Sequence, residues 1–442
     1  MGAHGLTAVR FPPSGSGDTG RQDKTGPART EFTMRTGGRA TTLNTTLAIV
    51  VAALGYFVDV FDIWLFSSVR KQSLEGLGLI GDDVTRVGAA LLNWQMAGFI
   101  LGAILFGIVA DRRGRLTVLF ASILTYSVAN VANGFVHGVA EYAVCRFVAG
   151  IGLAGELGAG IALVSELVST AKRGWATTFV ATVGVLGSVA APLVAGAVDW
   201  RTAYFIGGGM GLLLLLMRVG VFESGMFEEV KSRDDVKRGD FRHLLETGER
   251  RRRYLAIILA GGPVWFFAGL MMTFSPEVQA ALSIPDPNPA PKVIAIAALG
   301  LCIGDLIFGG LSQLFRSRRV AFWIAYVWMA TAVAGIFLFA RTATAFFWLM
   351  FFGGLGAGYW AVFVTTCGEV FGTNLRGTVA TTAPSFVRGL VIPMTLGLGV
   401  IEPRVGKIGG LTAIGLVVLG LAAWSVAALP ETFHRDMDYL EH

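Results

Sequence analysis

The sequence predicts an all-α membrane protein in which twelve transmembrane helices form two related six-helix bundles. Three observations predict this class: the composition, a series of long apolar runs and an internal repeat. Hydrophobic residues make up 54% of the 442 residues and charged residues only 15%, whereas soluble proteins carry about 25% charged residues. With a mean hydropathy of +0.63, this composition argues against a soluble enzyme, a disordered chain or a secreted disulfide scaffold.

Twelve apolar runs follow one another from about residue 45. A spanning helix needs about 20 mostly apolar residues, and runs this continuous indicate helices, because the strands of a membrane barrel alternate polar and apolar residues. The predicted spans 1 to 12 cover 45–69, 87–110, 115–136, 140–168, 175–198, 201–221, 254–280, 291–314, 319–340, 344–371, 378–401 and 408–429.

The polar segments divide the chain and orient it. We expect a disordered tail at 1–44, a six-helix bundle at 45–221, a basic linker at 222–253, a second bundle at 254–429 and a tail at 430–442. The first tail lacks the apolar core of a signal peptide, and either Met1 or Met34 fits as the start. Loops after even-numbered spans hold 18 Lys and Arg, against 8 in the other loops. This bias predicts that those loops, the linker and both termini are cytoplasmic.

The two bundles repeat one another at an offset of 203 residues. The offset superposes Gly107 on Gly310 in one loop region. It also superposes Glu166 on Glu369 and Arg173 on Arg376 in another. Repeat architectures of this kind bind their ligand between the repeats, near the middle of the bilayer.

Several motifs at these places resemble those of the major facilitator superfamily. "GIVADRRGR" (107–115) is similar to its signature between helices 2 and 3, with a weaker copy in "GLSQLFRSR" (310–318). "ELVSTAKRG" (166–174), "EVFGTNLRG" (369–377) and "LPETF" (429–433) resemble motifs of its sugar porters, and "VDVFDIWLF" (58–66) resembles the first-helix motif of its metabolite and aromatic-acid:proton symporters. The resemblance implies a monomeric transporter that works by alternating access, without a cofactor.

Six charged residues lie in the loop motifs of the two bundles. They are Asp111, Arg115, Glu166, Arg173, Glu369 and Arg376. We expect them to form a cytoplasmic gate that holds the outward-facing state, since a bias of about 1.4 kcal/mol changes a two-state equilibrium tenfold. The alternative is that they only fix topology and cap helices.

Ionisable residues deep in a span are costly and therefore mark functional sites. Asp59 and Asp62 are three residues apart and share a helix face, so both cannot carry charge cheaply and one is expected to hold a proton. Arg146 in span 4 can pair with one of them. By resemblance, the aspartate of span 1 and the arginine of span 4 form the pair that couples transport to protons, and we expect Glu156 to belong to the same proton-coupling group. Glu156 faces the cavity or pairs with Arg146, and a static buried ion pair is the alternative reading of the group.

Arg388, about ten residues into span 11, is the main candidate for binding a ligand. Its guanidinium stays charged and binds carboxylates through two parallel hydrogen bonds, so it predicts an anionic substrate. The alternative is that Arg388 pairs with Asp305 in span 8. Trp265, Tyr359 and Gln95 are further candidates for the wall of the site.

Together these features predict proton-coupled symport of a small organic anion, such as a carboxylate or aromatic acid. A sugar or polyol symporter and a drug or metabolite exporter remain alternatives. The partners are then a small molecule, protons and lipid, with no nucleic acid, in the inner membrane of a bacterium. Cys145, Cys302 and Cys367 lie far apart, so the sequence indicates no metal site. The absence of a nucleophile or an acid/base pair argues against an enzyme.

Overall fold

The computed structural model describes residues 38–113, 115–156, 170–222 and 241–433. Every regular element in these ranges is helical. The first half (38–222) contains α1 Gly38–Gly76, α2 Asp82–Arg113, α3 Arg115–Asn133, α4 Val139–Leu153, α5 Thr170–Ala197 and α6 Trp200–Phe222. The second half (241–433) contains α7 Phe241–Leu245, α8 Gly248–Ala260, α9 Gly262–Trp265, a π-helix Phe266–Met272, α10 Ser275–Ala281, α11 Ala290–Leu314, α12 Arg318–Phe339, α13 Ala343–Ala357, α14 Trp360–Glu369, α15 Thr373–Gly389 and α16 Val391–Ala428.

The predicted all-α membrane class is confirmed. Each of the twelve predicted spans overlaps at least one of these helices. Among the described residues, eight stretches are long and apolar enough to cross a membrane by length and composition. Spans 11 and 12 are joined within α16, where Gly406 has φ 75° and marks the kink between them. The end of the molecule at which α1 ends and α2 begins is called the distal end below, and the opposite end the proximal end.

The predicted linker is shorter than expected. It contains α7, and span 7 begins at Gly248, six residues before the predicted start at 254. Thr247 caps this helix, since its side chain accepts a hydrogen bond from the backbone N–H of Arg250. Side-chain oxygens satisfy the free N–H groups of a first helical turn. The four arginines at 250–253 therefore lie inside α8 and not in a loop.

Glycines let α2 pack directly on α4, and α11 on α13. A Cβ added at Gly98 would collide with the carbonyl oxygen of Phe147, and one at Gly300 with that of Phe351. Small residues at such crossings allow helix backbones to approach closely in membranes. Gly98 and Gly300 lie 202 residues apart, whereas the packing glycines Gly150 and Gly354 lie 204 apart. The offset of 203 is therefore an average, and the spans themselves are shifted by one residue in either direction.

Span 7 is bent by a tyrosine from span 10. In a continuous helix the N–H of Val264 would bond to the carbonyl of Ala260. The Tyr359 hydroxyl lies between them instead: it accepts a hydrogen bond from Val264 N (3.3 Å) and donates to Ala260 O (3.0 Å). Tyr326 donates to the same carbonyl at 2.7 Å. The hydroxyl of the buried Tyr359 therefore holds the break between α8 and α9. Its predicted place on the wall of a ligand site is wrong, because both of these hydrogen bonds are made to the backbone of span 7.

Span 10 is broken in turn, between α13 and α14. The carboxylate of Asp305 in α11 accepts a hydrogen bond from the backbone N–H of Ala361 (2.9 Å), in the first turn of α14. A negative charge at a helix N-terminus is stabilised by the unpaired N–H groups and the helix dipole. Asp305 is therefore a structural partner of α14 and not the partner of Arg388.

Hydrogen bonds and an ion pair join the two halves towards the distal end. Arg70 in α1 forms an ion pair with Glu277 in α10 at 2.5 Å. Close by, Ser67 bonds to Thr273 at 2.9 Å. Thr395 in α16 donates to Asn93 in α2 at 2.7 Å. These bonds close the distal end of the interface between the halves.

We predict that Gly304→Ala destabilises the protein, because the added Cβ would collide with the carbonyl oxygen of Leu355. Overpacking costs about 1–3 kcal/mol, which corresponds to a fall of about 5 °C in the thermal unfolding midpoint in detergent. Gly309→Ala in the same helix is the matched control, since nothing lies within 4 Å of its added Cβ, and its midpoint should not fall. Equal midpoints for the two variants would contradict this packing.

Candidate functional site

A buried hydrogen-bonded chain connects Asp62 to Arg146. Asn130 in α3 donates from its amide nitrogen to Asp62 and accepts a hydrogen bond from Arg146 at 2.5 Å through its amide oxygen. All three side chains are fully buried. The carboxylate and the guanidinium predicted to pair therefore interact through an asparagine. Asn130 was not a candidate in the sequence, although an amide inside an apolar span was a signal that could have found it.

Aromatic rings hold Arg146 in place. Its guanidinium lies 4.8 Å from the centre of the Tyr204 ring and 5.8 Å from that of Phe66. The Tyr204 hydroxyl bonds to that of Tyr142 at 2.7 Å, and Tyr142 bonds to Ser73 at 3.1 Å. Cation–π contacts are strongest where water is excluded. They compensate in part for the cost of burying Arg146.

Glu156 does not pair with Arg146. Its carboxylate forms an ion pair with Arg218 in α6 and accepts a hydrogen bond from Ser122 at 3.1 Å. Both charged side chains are 2% exposed, and Arg218 also donates to the carbonyl of Leu119 at 3.3 Å. The alternative in which Glu156 pairs with Arg146 is therefore wrong, because the arginine of span 6 is its partner. Arg218 was not a candidate in the sequence, where it is a lone charge near the end of an apolar run.

Arg388 lies at the interface between the halves. Its guanidinium is 4.6 Å from the ring centre of Phe99 in α2 and 5.8 Å from that of Trp265 in α9. It is 3% exposed, and its Nε has no hydrogen-bond partner among the described residues. The charge that acts on it most strongly is the carboxylate of Asp59 in α1. Arg388 therefore faces the first half.

Asp59 is a buried carboxylate without a hydrogen bond. Neither of its oxygens has a partner among the described residues, and the side chain is fully buried. Arg388 is the strongest charged neighbour of Asp59, followed by Glu156 and Asp62. The two carboxylates of span 1 are therefore attracted most strongly by different arginines: Asp59 by Arg388 and Asp62 by Arg146.

Trp265 lies beside Arg388, and Gln95 is a further candidate on α2. Trp265 is 7% exposed, its ring packs edge-on against Trp360 at 6.3 Å, and its Nε1 has no partner in the described ranges. Gln95 is fully buried, and neither polar atom of its amide has a hydrogen-bond partner in the described ranges. Gln95 precedes Phe99 by one helical turn, so the two share a face of α2. Unpaired buried polar groups are costly, and their concentration around one guanidinium indicates a polar binding site.

The six charged residues described above balance one another. The arginine that acts most strongly on Asp59 is Arg388, the one that acts on Asp62 is Arg146, and Glu156 is in direct contact with Arg218. Burying an unpaired charge is far more costly than burying a pair. In the described ranges no group of three or more His, Cys, Asp or Glu is placed to hold a metal ion.

The proximal charges of the second half form a network of their own. Arg318 pairs with Glu369 at 2.9 Å, and Thr432 donates to the same carboxylate at 2.7 Å. Glu431 accepts hydrogen bonds from Ser317 and from the backbone N–H of Arg318 at the start of α12. Partial burial alone would raise the pKa of Glu431, but these hydrogen bonds hold it below its ordinary value. The "LPETF" motif thus fastens the end of span 12 to span 9.

The six predicted gate residues are described only in part. Glu369 lies in this network, within one half, and Arg376 is partly buried in the first turns of α15. Glu166 lies outside the described residues, as do the side chains of Asp111, Arg115 and Arg173. The gate therefore remains a prediction.

The model of the Major Facilitator Superfamily matches residues 52–390. The chain belongs to this superfamily. It is an integral membrane protein and a transporter, and not an enzyme. It is 26% identical to a probable 4-methylmuconolactone transporter of Cupriavidus pinatubonensis over 86% of this chain and 89% of that protein. It is 24% identical to a cis,cis-muconate transport protein of Acinetobacter baylyi (89% and 95%) and 24% identical to a gentisate transporter of Corynebacterium glutamicum (84% and 87%).

A solved structure has the same fold. The crystal structure of a D-xylose–proton symporter superposes with a TM-score of 0.66 and 16% sequence identity, over 88% of this chain and 98% of that one. The two-bundle fold predicted from the repeat is therefore confirmed. At this identity the likeness concerns the fold alone.

We predict that the Glu156–Arg218 pair is structural and can be removed as a unit. Glu156→Gln or Arg218→Met alone leaves a buried charge without its partner, which costs about 3–5 kcal/mol. Each single variant should therefore unfold at a markedly lower temperature in detergent, and the double variant should recover much of the loss. Glu249→Gln is the control, since Glu249 is 81% exposed in a surface pair with Arg253 and such pairs contribute about 0–1 kcal/mol.

The double variant also separates the two roles considered for Glu156. If the pair is structural, the double variant retains gradient-driven transport. A well-folded double variant that has lost it would show instead that Glu156 carries the proton.

Proposed function

We propose that this protein is a proton-coupled symporter of a small organic anion that works by alternating access. Arg388 is the observation that carries the proposal. A guanidinium is buried at the interface of the halves, between aromatic rings, and makes no ion pair within the ranges described. Such a group binds a carboxylate through two charge-assisted hydrogen bonds.

The surroundings of Arg388 favour a flat, unsaturated or aromatic acid. Phe99 and Trp265 lie on the guanidinium, and Trp360 packs against Trp265. Aromatic side chains provide large apolar contact areas, and tryptophan adds an N–H donor. Gln95 and Trp265 can donate to oxygen atoms of the ligand. The relatives named for muconate, a muconolactone and gentisate support a substrate of this class.

The charge balance of the site supplies the coupling to protons. Three carboxylates already match three guanidinium groups. A substrate carboxylate that binds Arg388 adds one negative charge in a region of low dielectric and leaves Asp59 without its cation. Protonation of Asp59 restores neutrality. One proton therefore enters with each carboxylate, and neither crosses efficiently alone.

Asp62 and Arg146 form the second titratable pair of the mechanism. Asn130 holds both groups and gives them a fixed geometry. The chain from Asp62 through Asn130 to Arg146 connects span 1 to spans 3 and 4. Protonation of Asp62 would remove its attraction for the guanidinium of Arg146 and so weaken this connection. We infer that this pair responds to the protonation of Asp59, because the two carboxyls lie on one face of α1.

Alternating access would open the two ends in turn. The bonds Arg70–Glu277, Ser67–Thr273 and Asn93–Thr395 close the distal end, which we assign to the outer face of a bacterial inner membrane from the distribution of Lys and Arg. The two bundles at 45–221 and 254–429 would move against one another. The proposed cytoplasmic gate of Asp111, Arg115, Glu166, Arg173, Glu369 and Arg376 would then hold the opposite state.

We predict that Arg388→Ala raises the apparent KM for an aromatic carboxylate about 10- to 100-fold, because charge-assisted hydrogen bonds contribute about 1.5–3 kcal/mol. Arg388→Lys should recover only part of the loss, since an ammonium cannot form the two parallel bonds. Uptake of labelled carboxylates, aromatic acids and sugars into proteoliposomes measures both. The exposed Arg404→Ala is the control. An unchanged KM for the acid would contradict the assignment of Arg388 to the binding of the substrate carboxylate. Uptake of a sugar that is the same in the wild type and in Arg388→Ala would favour a sugar porter.

We predict that Asp59→Asn abolishes accumulation driven by an inward proton gradient but retains exchange of substrate for substrate. The amide imitates the protonated carboxyl, so Arg388 stays free to bind the anion while no proton is released. Asp62→Asn tests the second pair in the same way. Asp83→Asn, at a half-exposed carboxylate of a surface pair, is the control. Full accumulation by Asp59→Asn would exclude Asp59 as the carrier, and transport only under a reversed gradient would favour an exporter.

A further inference from the structure

A large lateral cavity lies apart from the Arg388 site. Its volume is about 990 Å³, and α1 and α5 of the first half line it together with α10, α11 and the loop between them from the second half. It lies at the distal end, since its lining runs from the last turns of α1 to the first turns of α11. The transport mechanism makes no use of it.

The mouth of the cavity is polar and carries a net positive charge. Lys71, Glu75 and Lys292 line it near the distal ends of their helices. Lys71 and Glu75 are 3.8 Å apart and each is 51% exposed, so their pairing is weak. Lys292 lies over the ring of Phe347 at 5.4 Å and makes no ion pair in the described ranges. Two ammonium groups and one carboxylate thus surround the opening.

The deeper wall of the cavity is apolar, and part of it is exposed at the surface of the molecule. Leu193 in α5 is 61% exposed and Leu299 in α11 is 40% exposed, and both line it. Lys292 and Leu299 are seven residues apart on α11, so the wall descends about 10 Å from the mouth at 1.5 Å per residue. This depth is about a third of the hydrocarbon core of a bilayer.

We propose that the cavity is a binding site for an anionic glycerophospholipid, with the phosphate at Lys71 and Lys292 and the upper part of one acyl chain against Leu193 and Leu299. The charge of the mouth complements an anionic headgroup, and the apolar wall complements a chain that a small soluble anion lacks. Basic residues near a membrane surface attract anionic lipid.

The bound lipid would join the two halves. Lys71 belongs to the first half and Lys292 to the second, and Lys71 directly follows Arg70 of the Arg70–Glu277 ion pair. A headgroup that contacts both lysines is held best while the distal end is closed. A ligand that prefers one of two states shifts the population towards it, so this lipid favours the distally closed state.

Native mass spectrometry of the purified full-length protein, titrated with phosphatidylglycerol or phosphatidylcholine, tests the site. We expect phosphatidylglycerol to bind more tightly, and the double variant Lys71→Ala/Lys292→Ala to weaken it about tenfold. The control Arg86→Ala/Arg404→Ala removes the same charge from exposed distal positions outside the cavity and should leave the affinity unchanged. Equal affinity for the two lipids, or equal loss in the two double variants, would overturn the proposal.

A second pair of variants tests the apolar wall. Leu193→Trp fills the cavity and should reduce the binding of phosphatidylglycerol severalfold. Leu213→Trp is the matched control, since Leu213 is 60% exposed but lies in α6, outside the cavity. Displacement of the lipid by soluble glycerol phosphate at equal concentration would overturn the proposal, because it would show that the site binds a small anion. These measurements do not depend on transport, so their outcome is separate from that of the proposed symport.

Discussion

The protein depends on the cost of placing a net charge in a medium of low dielectric. Five arginines are buried in the described part of the two halves. Three of them, Arg146, Arg218 and Arg388, are each the main cation of one of the buried carboxylates Asp62, Glu156 and Asp59. The three pairs differ in how they are held. Glu156 and Arg218 are in direct contact, Asp62 and Arg146 are joined through Asn130, and Asp59 and Arg388 interact without a shared hydrogen bond. The pair with the fewest bonds is the one that a substrate can separate.

Much of the fold could be predicted from the sequence, because its determinants are long and redundant. Apolar runs of 20 residues and repeated loop motifs are recognised even when the predicted boundaries are wrong by a few residues. The all-α class and the two-bundle fold were therefore predicted correctly. The start of span 7 was misplaced because arginines at 250–253 can extend to the membrane surface from within a helix. Composition alone does not distinguish such a helix from a linker.

The site was harder to predict, because it depends on which faces meet across spans. Arg388, Asp59 and Trp265 were found as polar or charged residues inside apolar runs, and the structure gathers them. Asn130 and Arg218 were missed, since a single amide or a charge near the end of a span is a weak signal. Tyr359 was wrongly placed because a mid-span tyrosine has the same appearance in a ligand site as in a helix break. Only the positions of Ala260 and Val264 reveal which of the two it serves.

The shift of the repeat by one residue in either direction has a consequence for transplanting residues between the halves. Since α4 and α13 correspond at 204 residues, the counterpart of Arg146 is Met350 and not Leu349, and that of Glu156 is Trp360. A helix turns about 100° per residue, so a graft placed by the average offset would point a quarter-turn or more away from its intended neighbours. A variant that carries these charged residues in the second half would therefore need an offset chosen separately for each helix.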